Sequence, residues 1–209
     1  MKLTVFGATG KTGKEIVRQA LALGYEVIVV ARDPAKLGGA VPKVRVVQGD
    51  ATDTQVAEQA VAGADAVLSV LGHVRGSPPD VLSKSVSNIV GAMKKENVRR
   101  LVVLTNVAAR DSSDRPGLYN RLLLGLLTLF RGQMARDTAQ EAKIISQSEL
   151  NWTIVRANLL TDGLLTETYH VGEFDRKAGT RVSRANVAAF MIACATENTY
   201  IRAKPLISE

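Results

Sequence analysis

Short continuous runs of apolar residues alternate along this chain with longer segments in which apolar residues recur every three or four positions. Continuous β-branched runs such as Glu26–Ala31 (EVIVVA) are typical of parallel strands covered on both faces, whereas the longer recurrence is typical of helices. Their alternation predicts an α/β fold, a parallel sheet with helices on both faces. The predicted strands are 3–6, 26–31, 44–47, 66–71, 101–104 and 152–155, and the predicted helices are 11–23, 53–61, 80–96, 133–147 and 183–195.

A glycine-rich turn, Gly7–Gly13 (GATGKTG), joins the first predicted strand to the first predicted helix. Glycines at this junction permit a tight turn, a close approach of the backbone to a pyrophosphate and close packing of helix on strand. The helix adds amide donors and the positive end of its dipole. A nucleotide-triphosphatase loop is the alternative at Gly10–Thr12, but it requires a glycine where Val5 stands. The turn therefore predicts a dinucleotide site.

The chain has 209 residues, the size of one domain, and neither an internal repeat nor a Ser/Gly-rich linker divides it. We predict a single-domain, doubly wound Rossmann-type fold over residues 1–209, in which 157–209 form a small substrate-side part. The stretches 110–117 and 161–180 show neither the apolar pattern of a strand nor that of a helix, and they are predicted to be irregular. Ligands of such sheets bind at the carboxyl ends of the strands, so the loops that follow the strands are expected to face one site.

The tip of the second predicted strand distinguishes the two nicotinamide cofactors. NAD sites place Asp or Glu there to bond the ribose 2′-hydroxyl, whereas this strand is followed by Arg32. A guanidinium pairs bidentately with a 2′-phosphate, and Lys36 adds a second cation. Asp50 and Ala51, after the third strand, are expected at the adenine. The sequence therefore predicts NADPH.

Charge and composition exclude several classes of protein. The net charge is +7, from 27 basic and 20 acidic residues, but the basic residues are spread along the chain and never exceed pairs. Nucleic-acid binders concentrate them on one element, so no nucleic-acid partner is expected and the basic surface is assigned to an anionic small ligand. The longest apolar stretch, 122–130, is half a membrane span, and the N-terminus is not a signal peptide. A cytoplasmic protein without membrane contact is predicted.

A single cysteine, Cys194, excludes a disulfide framework, and with only two histidines a metal site is not expected. His73 and His170 are interpreted as loop residues and Cys194 as a buried packing residue. The unusually apolar segment 118–130 is interpreted as a core helix, with a lid or an oligomer face as alternatives.

Five segments, GATGKTG, VARDPAKL, VVQGDATD, ADAVLSVLG and LNWTIVRANLLTDG, resemble atypical short-chain dehydrogenase/reductases. The resemblance is strongest to the flavin reductase and biliverdin reductase B-like branch, which is related to NmrA-like proteins, and it covers nearly the whole chain. It implies NADPH, with the nicotinamide beside the ends of the fifth and sixth strands. The residues it assigns to the cofactor are Gly7, Thr9, Gly10, Lys11, Thr12, Arg32, Lys36, Asp50, Leu71, Gly72, Thr105 and Asn106, with Ala157, Asn158 and Leu159 beside the nicotinamide.

Gly13 and Ala51 join this set from the patterns above, and Arg75 is a candidate to pair with a phosphate or carboxylate of the acceptor, with an exposed loop charge as the alternative. The chain departs from the family in one respect that bears on mechanism. Most of the superfamily uses Tyr-x-x-x-Lys after the fifth strand as proton donor, but Met134 and Thr138 stand there. The spacing recurs at Tyr200–Lys204, which lies after the sixth strand and is interpreted as coincidence.

Two smaller departures concern the pocket. Thr138 and Leu159 stand where biliverdin-reducing relatives carry imidazoles, Asn106 stands where close relatives have Ser, and Ala157 where many have Pro. The first of these departures argues against biliverdin itself as the substrate.

The expected function is reduction of a flavin or another flat acceptor by NADPH, because such an acceptor stabilises its reduced anion and needs no positioned acid. Thr105 and Asn106 are the candidate catalytic residues, acting by positioning. The alternative is a non-catalytic NADPH-sensing NmrA-like regulatory or assembly protein. A small-molecule acceptor is the expected partner, and a monomer or homodimer the expected state.

Overall fold

The computed structural model describes residues 1–106, 109, 132–173 and 179–209, without the side chains of 40–42. The segments 110–117 and 118–130, for which the sequence makes predictions, lie outside the described residues. The prediction for the remainder can be compared element by element.

The described elements alternate as expected. The strands are β1 Lys2–Phe6, β2 Glu26–Ala31, β3 Arg45–Gln48, β4 Ala66–Ser69, β5 Arg100–Asn106, β6 Asn151–Ala157, β7 Leu159–Thr161, β8 His170–Gly172, β9 Arg181–Ser183 and β10 Leu206–Ser208. The α-helices are α1 Lys11–Ala22, α2 Thr54–Val61, α3 Val81–Lys95, α4 Gly132–Gln147 and α5 Arg184–Glu197, and a 3₁₀ segment spans Pro34–Lys43.

Eight strands form one sheet in the order β3-β2-β1-β4-β5-β6-β10-β8. Every neighbouring pair is parallel except β10 and β8, which are antiparallel. The strand order reverses at β1, so a crevice opens between the loops that follow β1 and β4. The doubly wound α/β fold is therefore confirmed, as a single domain.

The prediction that 161–180 is irregular is wrong for part of that stretch. β8 lies within it and adds the antiparallel edge strand, while β7 and β9 form a separate two-stranded parallel sheet. The 3₁₀ segment was not predicted either. Strands of three residues are too short to show a period, so their formation depends on partners that are distant in the sequence.

Helices cover both faces of the sheet, which explains the continuous apolar strands. In β2, Val27 and Val29 pack with α1 and α5, whereas Ile28 and Val30 pack with α2, α3 and α4. Cys194 of α5 is fully buried in the first of these clusters, as expected. Burial raises the pKa of its thiol to about 11, so it is a packing residue rather than a nucleophile.

A buried arginine joins three segments at the amino-terminal edge of the sheet. The guanidinium of Arg100 donates to the carbonyl oxygens of Cys194 (2.6 Å), Asn151 (2.7 Å) and Thr199 (2.9 Å) and to Thr153 Oγ1 (2.8 Å). None of these acceptors is a carboxylate, so neutral oxygens satisfy the cation. The contacts attach the end of α5 to the starts of β5 and β6.

Candidate functional site

The glycine-rich turn folds at the carboxyl end of β1. Gly7 has φ +82°, and a Cβ there would lie 2.7 Å from the carbonyl oxygen of Val70, which follows β4. A Cβ on Gly13 would overlap the Gly7 carbonyl oxygen, to which Gly10 N–H donates (3.0 Å). Both positions require glycine, one for its positive φ and both for the close approach of backbones. The turn therefore brings the loop after β4 against the loop after β1.

The start of α1 presents backbone donors at this edge. Gly10 is its N-cap, no side chain in the described structure bonds to it as a cap, and the first turn carries no acid. The first amides of a helix have no partner within it, and the dipole places positive charge beside them. This arrangement binds the pyrophosphate of a dinucleotide in Rossmann folds.

Arg32 and Asp50 lie together after β2 and β3. The guanidinium is 3.6 Å from the Asp50 carboxylate, and 67% of the Arg32 side chain is exposed. Partial burial opposes ionisation of Asp50, but hydrogen bonds from Thr52 N and Oγ1, with the charge of Arg32, hold its pKa below the ordinary value. Lys36 similarly lies 3.8 Å from Asp33. Exposed pairs of this kind contribute about 0–1 kcal/mol, so a phosphate can replace the carboxylates.

A three-residue ion-pair network, which the sequence did not indicate, crosses the site. Lys11 Nζ of the glycine-rich turn lies 2.6 Å from Asp162, which follows β7 and also accepts from Arg184 at the start of α5. These charges hold the pKa of the Asp162 carboxyl below its ordinary value, first through the hydrogen bond from Lys11. Lys11, which was predicted to bind cofactor, is therefore paired with a carboxylate here.

The loop after β4 holds three of the predicted residues, Leu71, Gly72 and Arg75. Leu71 N lies near the position of a Cβ on Gly7, so the loop begins in contact with the glycine-rich turn. Arg75 lies in a turn closed by hydrogen bonds between Val74 and Ser77, where it is exposed. Its position permits an anion partner but does not identify one.

The candidate catalytic residues end β5. Thr105 and Asn106 pair in register with Arg156 and Ala157 of β6, so the two strand ends lie side by side at the carboxyl edge. Asn158 has a structural bond there, because its Nδ2 donates to the Gly179 carbonyl (2.6 Å).

At the two positions where the resemblance expects a proton-donating pair, Met134 carries no acidic proton, and Thr138 is 2% exposed, in the interior of the protein. Tyr200 lies at the opposite edge, where its carbonyl accepts from Thr153 Oγ1 (2.9 Å) and its ring packs on Phe190. This location agrees with coincidental Tyr-x-x-x-Lys spacing at Tyr200.

Two carboxylates of α4, those of Asp137 and Glu141, are buried one helical turn apart. Burial, with the charge of Asp137, raises the pKa of Glu141 to about 8. Glu141 is therefore mostly protonated at neutral pH.

We predict that Glu141→Gln removes a pH dependence of stability. The pKa of Glu141 is about 8 in the folded state, against an ordinary value of 4.5, so between pH 5 and 8 the folded protein holds a proton that the unfolded chain has released. The free energy of unfolding therefore falls as pH rises through this window, by about 3 kcal/mol from this group. Glutamine keeps the neutral shape, so the variant should exceed wild type increasingly toward pH 8. Urea unfolding at pH 5, 7 and 8 measures this, with exposed Glu149→Gln as control. Parallel pH profiles for Glu141→Gln and wild type would contradict it.

One edge of the sheet therefore holds every residue that the sequence assigned to the site. The described structure adds Asp162 and Arg184, which lie beside Lys11, and Asp137, which lies in contact with the loop after β4. Their partners are 22 to 151 residues away in the sequence, so no local pattern indicates them.

Among the described residues, no group of three or more His, Cys, Asp or Glu side chains is placed to hold a metal. Within the same ranges, no helix has the length and apolar character of a membrane span.

Comparison with known proteins agrees with this geometry. An uncharacterized chloroplastic protein of Arabidopsis thaliana is 32% identical over 168 residues, which are 74% of this chain and 58% of that protein. The 40 kDa subunit of mitochondrial NADH-ubiquinone oxidoreductase from Neurospora crassa is 30% identical over 120 residues, 53% of this chain and 32% of the subunit. The chain thus spans about a third to three fifths of the length of these curated relatives.

Solved structures share the fold across the full chain. A short-chain dehydrogenase/reductase from Veillonella parvula, in complex with NADP, has a TM-score of 0.82 at 20% identity, covering 100% of this chain and 94% of that one. An anaerobillin reductase from Escherichia coli O157:H7 has a TM-score of 0.83 at 22% identity, covering 100% and 97%. The family model described as NAD(P)H-binding matches residues 7–198. The chain belongs to the NAD(P)H-binding family and has the fold of the short-chain dehydrogenase/reductase oxidoreductases.

Proposed function

We propose that this chain is an NADPH-dependent reductase that transfers hydride to a flavin or a similarly flat, conjugated acceptor. The observation that carries the cofactor choice is the exposed guanidinium of Arg32, which follows β2 at the same edge of the sheet as the start of α1. An acid at that tip would repel a 2′-phosphate, whereas Arg32 pairs with it.

The residues present fit such a cofactor. Gly7 and Gly13 allow the turn, the loop after β4 and the start of α1 to approach closely, and in the proposal the amides at the start of α1 bind the pyrophosphate. In the proposal, Arg32 and Lys36 hold the 2′-phosphate, Asp50 and Ala51 the adenosine, and Leu71 and Gly72 the nicotinamide ribose. The reduced nicotinamide supplies the hydride when bound.

The chain's own contribution to the reaction would be placement. Thr105 and Asn106 end β5 beside Ala157 of β6, and in the proposal these backbones and side chains orient the nicotinamide toward the acceptor. Because Met134 and Thr138 replace the proton-donating pair, acceptors whose reduced form is a stabilised anion are favoured over isolated ketones.

Exposed apolar side chains at the same edge support a flat apolar acceptor. They come from the loops after β4 and β7, the start of β7 and the start of α4, and they are Val74, Met134, Leu159, Leu164 and Leu165. Single exposed apolar residues are ordinary, but several around one crevice favour a conjugated ring system as ligand.

A buried residue of α5 forms hydrogen bonds to the loop that carries Leu164 and Leu165. Asn186 is fully buried, and its Oδ1 accepts from the backbone amides of Thr166 and Glu167, both at 3.0 Å. Leu164, 84% exposed, therefore lies on an ordered loop rather than a free one.

We predict that Arg32→Ala weakens NADPH binding about ten-fold or more, about 1.4 kcal/mol, and leaves NADH binding nearly unchanged. In the proposal the guanidinium exchanges its exposed Asp50 partner for the 2′-phosphate, which NADH lacks. Fluorescence titration of both cofactors measures the two affinities, with Arg99→Ala at the opposite sheet edge as control. Equal losses for the two cofactors would remove Arg32 from this role.

Turnover separates the proposed reductase from the non-catalytic alternative. Steady-state oxidation of NADPH in the presence of FMN is expected for the reductase. NADPH binding without turnover over a panel of flavins, quinones and tetrapyrroles would instead identify an NADPH-sensing protein.

A further inference from the structure

The start of α3 is capped by a residue from another helix. Asp80, at its N-cap, forms no side-chain cap bond in the described structure. Asp137 of α4 supplies it instead: Oδ2 accepts from Leu82 N (2.9 Å) and Oδ1 from Ser83 N (3.0 Å). The Asp137 side chain is only 3% exposed, so this is an interior contact.

The same carboxylate faces the loop that follows β4. His73 Nε2 lies 3.2 Å from Asp137 Oδ2, and only 10% of the imidazole is exposed. The Nε2 atom forms no hydrogen bond in the described structure, so the imidazole and the carboxylate are in close contact in the interior without one.

This contact matters for cofactor binding because the loop after β4 lies against the glycine-rich turn. The loop begins against Gly7, where Val70 O and Leu71 N occupy the space of a side chain. His73 is two residues beyond Leu71, so the loop is held at its start by the glycine-rich turn and at His73 by α4. Displacement of the loop would open one wall of the crevice between β1 and β4.

We propose that Asp137 is a positioning residue which, through His73 and the start of α3, holds the loop after β4 in the shape that receives the nicotinamide half of the cofactor. This inference rests on the proposed function. In Rossmann folds the adenosine half binds over β1–β3 and the nicotinamide half over β4–β6, so the two halves of the ligand report on different loops.

Binding of whole and half cofactor tests the proposal. Asp137→Asn and His73→Ala are each titrated by calorimetry with NADPH and with 2′,5′-ADP, which carries only the adenosine half. We expect NADPH affinity to fall about ten-fold in both variants while 2′,5′-ADP affinity changes by less than about two-fold. The exposed carboxylate Asp65, at the opposite sheet edge, supplies the control Asp65→Asn, which should bind both ligands as wild type does.

Each other outcome has a definite meaning. Equal weakening of both ligands in both variants would show a general structural defect and overturn the positioning role, as would unchanged NADPH affinity. If Asp137→Asn does not fold, His73→Ala decides, because it removes the loop contact and keeps the helix cap. Wild type that binds neither ligand would contradict the proposed function itself, which distinguishes the two failures.

Discussion

Replacing Gly13 with alanine is expected to reduce NADPH affinity by about 100-fold or more, about 2.7 kcal/mol. The new Cβ would overlap the Gly7 carbonyl oxygen and the Ala8 Cα, which are backbone atoms that no rotamer change can move. Relief requires opening the turn, and that displaces the amides at the start of α1 from the phosphate position. Isothermal titration with NADPH measures the loss.

A matched glycine provides the control. Gly91 lies in α3, and a Cβ there meets nothing within 4 Å. Gly91→Ala should leave NADPH affinity unchanged and stabilise the protein by about 0.5–1 kcal/mol, because alanine is the better helix former. Wild-type affinity in folded Gly13→Ala would show that the cofactor does not use this turn.

Arg100→Met is expected to lower the free energy of unfolding by about 3–5 kcal/mol. Methionine retains apolar bulk but removes the guanidinium donor from the buried carbonyl oxygen of Cys194 and from the partly buried carbonyl oxygens of Asn151 and Thr199. Backbone strain is concentrated beside this contact, since Asn198, Tyr200 and Arg202 have φ between +53° and +56°.

Urea unfolding measures the Arg100 effect, and the adjacent residue is its control. Arg99 is exposed, so Arg99→Met should change stability by less than about 0.5 kcal/mol. Comparable small effects of the two substitutions would mean that water or rearranged backbone satisfies the three carbonyls.

The local parts of the fold were predictable because their causes are local. The predicted strand Glu26–Ala31 matches the observed one, since a doubly covered strand must be apolar on both faces. Asp53, at the start of the predicted helix 53–61, caps α2 by accepting from Gln55 N (2.8 Å), a bond between residues two apart in the sequence. Helix ends and short strands were less predictable, as β7, β8 and β9 show.

In the candidate site, too, the features with local causes were predictable and those that depend on distant partners were not. Glycines in a strand–turn–helix junction and a cation at a strand tip are sequence-local, so the sequence predicted where a dinucleotide would lie and which one. Acidic residues whose partners lie in distant segments of the chain are not indicated by any local pattern. Asp162 is 151 residues from Lys11 and Asp137 is 55 residues from Leu82.

By itself the sequence determined the alternation of strands and helices, the glycine-rich turn and the cation at the end of β2, because each depends on residues within one turn or one element. Only the tertiary structure decided how the cations of that turn and strand tip are paired, which carboxylate caps α3 and why Glu141 keeps its proton. Those properties arise where helices and loops pack together, since burial and the approach of distant charges determine hydrogen bonding and protonation there.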